Sequence, residues 1–77
     1  MAKLDHAMLS NCNRLHDFLD RTSVKRMAYE YHPNEIQLIQ RAVQTCVRKT
    51  GVRKGLEIDF NFIIHASRDV RDMHRAD

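Results

Sequence analysis

Cys12 and His16 stand four residues apart, a separation that places two side chains on adjacent turns of one helix face. A thiolate and an imidazole so placed can ligate one metal ion, and Cys46 is a third donor if its helix faces theirs across the core. His6, His32, His65 and His74 are spare imidazoles. The paired C-x-x-C or H-x-x-x-H spacing that makes a zinc site specific is missing. The same residues permit a thiol–imidazole nucleophile in principle. Both cysteines, however, fall on apolar helix faces, where a buried and unreactive thiol is the usual outcome. Cys12, His16 and Cys46 are therefore weak metal candidates, and the expectation is two core thiols, surface imidazoles and no cofactor. A Cys12–Cys46 disulfide fits the geometry but is disfavoured in a reducing compartment.

Other catalytic patterns are missing too. The chain has no G-x-S-x-G, no paired-glycine phosphate loop and no H-E-x-x-H. Seventy-seven residues leave little room for a cavity of several hundred cubic ångströms. The protein is expected not to be an enzyme.

Charge is the next feature that could act on a partner. Arg48, Lys49, Arg53 and Lys54 put four cations into seven residues with no acid between them. Upstream, Gln37, Arg41, Gln44 and Arg48 follow at intervals of four, three and four, which draws a stripe down one side of a helix. Gln and Arg on an exposed helix read base edges and grip phosphates. They are also ordinary solvated residues with good helix propensity. Arg48 and Lys49 have a structural reason of their own, because cations in a last turn satisfy the macrodipole and its orphan carbonyls. Arg53 and Lys54 lie beyond that turn and lack this reason. A second interface candidate is the Tyr-rich basic segment of Lys25, Arg26, Tyr29 and Tyr31, with one tyrosine expected to cap the small core.

The elements that position these residues read mostly as helices. Residues 3–20 carry Leu4, Met8, Cys12, Leu15 and Leu19 at three- and four-residue spacing. Ser23 is placed to cap a short helix over residues 24–31, which His32-Pro33 ends. A longer helix is expected over about 35–49, with Asn34 as N-cap, Gln37 completing a capping box and Gly51 as the left-handed residue that stops it. Ile36, Ile39, Val43, Cys46 and Val47 share its apolar side, and Leu38 and Ala42 widen the arc, which predicts a central helix packed on more than one neighbour. The last third divides. "GLEIDFNF" alternates like a strand, whereas Phe60, Ile63, Ile64, Ser67 and Val70 share a helical face behind Asp59. A lone strand needs a partner for its backbone groups, so the helical reading leads. The fold is expected to be a mostly α, compact three- to four-helix domain. Its alternative is α+β, with a strand at about 55–63 pairing with residues 24–31 or with a second subunit. Residues 1–77 form one domain, with 68–77 a polar helical tail that frays.

A helix-turn-helix needs a link of about three or four residues. Starting the last helix near Asp59 makes the link too long, and starting it near Val52 puts Gly55 inside the recognition helix. Phe60 and Phe62 are expected in the core rather than on an RNA-stacking platform.

Composition sets the remaining limits. Thirteen Lys and Arg against ten Asp and Glu leave +3, too small an excess to imply nucleic-acid binding by itself. No apolar run approaches the ~20 residues of a membrane helix, and no signal-type segment opens the chain. With two cysteines, this points to a cytoplasmic, reducing setting and no membrane partner. The leading expectation is a small adaptor, regulator or inhibitor that docks on a larger protein or nucleoprotein assembly. Second comes a nucleic-acid-binding regulator, dimeric, using the Gln/Arg stripe and the basic cluster. A metal- or thiol-dependent small protein is third. Homo-oligomerisation is one common reinforcement for a chain this short.

Overall fold

A computed structural model describes residues 6–75. Leu4, in the expected apolar stripe, and residues 76–77 of the expected tail lie outside the described residues, as do the side chains of His6, Met8 and His74. The described residues form four helices and no strand: α1 (His6–Arg21), α2 (Val24–Glu30), α3 (Pro33–Thr50) and α4 (Phe60–Arg75). This is the mostly α arrangement expected from the spacing of apolar residues, and the strand alternative over 55–63 is not formed.

The helix ends have local causes. Ser23 is extended, and its hydroxyl accepts from the Arg26 N–H at 3.1 Å, which starts α2. Tyr31 and His32 are both extended, so the chain turns there and Pro33 takes the first position of α3. The expected Asn34 cap is thus displaced two residues upstream. Glu35, not Gln37, reaches back to the His32 N–H at 2.9 Å. At the far end Gly51 has φ +77° and its N–H donates to the Val47 carbonyl at 2.8 Å, as the sequence predicts. Asp59 caps α4 by accepting from the Phe62 N–H at 3.1 Å.

Packing follows a simple order. α3 lies against α1 on one side and α4 on the other, and α4 also covers α2. The main buried cluster is Met27, Ala28, Ile36, Val43, Phe60 and Ile63, from α2, α3 and α4; Cys12 of α1 and Cys46 of α3 are buried beside it. Each large side chain so buried contributes roughly 1.5–3 kcal/mol relative to exposure. α1 adds the half-buried Leu15, Phe18 and Leu19. Tyr31 packs edge-to-face on Phe18, ring centroids 5.7 Å apart, so it is the tyrosine that closes the core.

Three residues expected on buried faces are elsewhere. Leu38 is 62% exposed and Ala42 is exposed, so the apolar arc of α3 is narrower than its sequence reads. Phe62 is also 62% exposed, because α4 points Phe60 and Ile63 inward and turns Phe62 outward.

One polar group lies wholly inside. Ser67 is fully buried, and its hydroxyl donates to the Tyr31 carbonyl at 2.6 Å. One turn later Arg71 donates to the carbonyls of Ala28 (2.9 Å) and Tyr29 (3.3 Å), and to Ser67 (3.4 Å). It therefore caps the last turn of α2 with a charge of the favourable sign. α4 runs helical to Arg75, and Arg71 joins this part of it to the end of α2. Arg71→Met keeps the stem and removes the fork, so it should cost about 1–2 kcal/mol in urea denaturation. Arg71→Lys should recover less than half of that, since an ammonium cannot serve two carbonyls in one plane.

Candidate functional site

The outer face of α3 is where the expected stripe lies. Gln37, Arg41, Gln44 and Arg48 are all exposed, opposite Ile36, Val43 and Cys46. Lys49 and Arg53 continue the positive surface past Gly51. From Ile36 to Leu56 the chain has five cations and no carboxylate. Arg41, Arg48, Lys49 and Arg53 make no ion pair with the described residues. Lys54 does: its ammonium meets Asp20, at the end of α1, at 2.6 Å. Both partners are about half exposed, so the pair stabilises little. It nevertheless gives Lys54 the structural reason that its position in sequence did not reveal.

The nine residues 51–59 between α3 and α4 exceed the link of a helix-turn-helix. They fold back as turns, with Gly55 buried beneath. A cavity of about 80 Å³ lies there, lined by Val43, Gln44, Leu56 and Phe60 among others. That is far below the several hundred Å³ of an organic substrate site.

Cys12 and Cys46 require a correction. They were expected as separate core thiols, and they form a disulfide across α1 and α3, with Cα atoms 5.8 Å apart. The helices cross where both apolar faces meet, which brings the two side chains together. A disulfide sulfur is not a thiolate, so neither cysteine is a ligand in this state. His16 is half-buried on α1 and gains no companions. Among the described residues no three His, Cys, Asp or Glu side chains gather as a metal site. The disulfide also removes the cysteine ground for a reducing compartment. No helix among the described residues is long and apolar enough to cross a membrane.

The Tyr-rich segment divides. Tyr31 is in the core, and Arg26 is held by Glu30 at 2.8 Å, one turn on. That hydrogen bond, and then the charge of Glu30, holds the Arg26 guanidinium above its ordinary pKa. Lys25 and Tyr29 instead line a groove of about 460 Å³ between α2 and α4, facing Phe62, Ala66 and Asp69. Sequence reading missed the α4 wall. Its signal was present: Phe62, Ala66, Asp69 and Met73 are spaced four, three and four, a second face beside the core stripe.

Against known proteins the chain matches no family model, no curated protein and no solved structure.

Proposed function

We propose that this protein is a non-enzymatic binding module that docks through the outer face of α3 on an acidic surface of a larger protein or nucleoprotein assembly. The observation that carries this reading is the exposed Gln37–Arg41–Gln44–Arg48 stripe with Lys49 and Arg53 beside it, whose cations have no ion-pair partner among the described residues. An exposed surface of one sign, free of internal ion pairs, steers and orients an anionic partner. Arginines present fixed forks to carboxylates.

A second reading uses the same residues on nucleic acid, where the arginines would meet phosphates. The two separate in one pair of experiments. Host proteins are captured on the wild-type chain and on Arg48→Glu/Arg53→Glu, and the purified partner is then titrated against both. The charge reversals should weaken that partner by at least about tenfold and steepen no salt dependence. Duplex DNA, single strands and RNA are titrated in parallel at ~50 mM salt, where phosphate binding is strongest. Undetectable binding there ends the nucleic-acid reading. Binding that weakens for all sequences alike, with the salt slope reduced by about two, replaces the protein reading with it.

A further inference from the structure

We propose that the α2/α4 groove is the contact face of a twofold dimer of this chain, with Lys25 of each copy paired to Asp69 of the other. This face is separate from the α3 stripe, so it goes beyond the docking function above.

The groove is apolar where it matters. Val24, Tyr29 and Phe62 are 44%, 57% and 62% exposed, and Met73 extends the α4 wall at 73%. Scattered single apolar residues on a surface need no explanation, but a contiguous set lining one groove marks an interaction site.

The charges specify the occupant. Lys25 sits on the α2 wall and Asp69 on the α4 wall, and neither has an ion-pair partner among the described residues. One cation and one anion on facing walls make the surface complementary to itself. In an isologous interface each contact occurs twice, so a single twofold axis forms two Lys25–Asp69 pairs. A foreign helix would need its own matching acid and base at the same separation.

The α4 spacing agrees. Phe62, Ala66, Asp69 and Met73 repeat four, three and four, the seam of two packed helices. Crossing two copies antiparallel about an axis between Ser67 and Arg68 brings Phe62 of one copy to Met73 of the other. That is an aromatic–thioether contact. The same crossing sets the small Ala66 opposite Asp69, which leaves space for the carboxylate to reach Lys25.

Area is sufficient. A standard interface covers roughly 10% of a small protein's surface, here ~600 Å² of 6012 Å². α4 alone offers a stripe ~24 Å long, and α2 beside it widens the face to ~20 Å.

Sedimentation equilibrium from ~5 µM to ~1 mM tests the proposal, with circular dichroism to confirm that each variant is folded. Wild type should sediment as a dimer, twice its 9.1 kDa, at the upper concentrations. Phe62→Glu should raise the dimer dissociation constant at least about thirtyfold at unchanged helicity, as expected for a central anchor. Asp69→Lys should also weaken the dimer, and Lys25→Asp/Asp69→Lys should restore it. If Phe62→Glu proves unfolded, Met73→Glu, at a still more exposed position, replaces it. A wild-type chain that stays monomeric at ~1 mM overturns the proposal and leaves the groove to a different protein. So does a dimer that Phe62→Glu leaves intact, because it would form through another face. Failure of the charge swap to restore the Asp69→Lys variant overturns the Lys25–Asp69 pairing.

Discussion

Gly55→Ala should lower the stability of this protein by about 2–5 kcal/mol, out of proportion to the single methyl group it adds. Two costs act together. Gly55 has φ +92°, a backbone conformation that L side chains rarely adopt, which costs roughly 1–2 kcal/mol. A Cβ at that position would also lie 3.1 Å from Leu19 Cδ1 and 3.1 Å from Val43 Cγ1. Leu19 is half-buried and can swing away. Val43 is 2% exposed and β-branched, so its χ1 has little freedom to yield. Overpacking of that kind adds about 1–3 kcal/mol.

Gly51 supplies the internal comparison. It too has a positive φ, +77°, but a Cβ there would meet nothing within 4 Å. Gly51→Ala should therefore cost only the backbone part. Thermal denaturation followed at the helical band reads both, at roughly 4–8 °C per kcal/mol for a domain of this size. A midpoint lower by about 10–25 °C is expected for Gly55→Ala, and well under half of that for Gly51→Ala. Equal shifts would mean that Leu19 and Val43 give way freely and that the 51–59 loop is not wedged against the core.

That loop marks the limit of what the sequence discloses. Ser23, Asp59 and Gly51 announced their caps because capping depends on a few neighbours. The buried face of α4 was equally plain, since Phe60, Ile63 and Ser67 keep helical spacing whatever they pack on. Gly55 was read only as an obstacle to a recognition helix. Its true constraint comes from Leu19 and Val43, which are far from it in sequence. Lys54 is the same case: its partner, Asp20, stands 34 residues away. Arg71 looked like part of a polar tail because the carbonyls it caps belong to α2, about forty residues earlier. Phe62 and Leu38 were placed inside because hydrophobicity alone does not say which of two apolar faces a helix buries. The outer face of α3 was read at the level of exposure, since Gln37, Arg41, Gln44 and Arg48 lie opposite the residues that do pack.

Reduction of the Cys12–Cys46 bond should have the largest single effect on stability, about 3–4 kcal/mol. The bond joins residues 34 positions apart, and closing a loop of that length removes chain entropy of this order from the unfolded state. A 77-residue domain has roughly 4–12 kcal/mol in total, so about a quarter or more depends on one bond. The loss should not be uniform. The six residues of the main buried cluster come from α2, α3 and α4, whereas α1 contributes the buried Cys12 of the bond itself and three half-buried side chains, and packs chiefly on α3. Hydrogen exchange in a phosphine-reduced sample should therefore rise first in α1, while the amides around Ile36 and Ile63 keep most of their protection. The midpoint should fall by about 15–25 °C. Cys12→Ala/Cys46→Ala should show the same pattern and no further response to reductant. Uniform loss of protection would refute the idea that α2–α4 forms a core able to stand without α1. A midpoint change below about 3 °C would mean instead that α1 is held by Leu15, Phe18 and Leu19 alone. In that case the bond would be a consequence of how α1 and α3 pack, and not a cause of it.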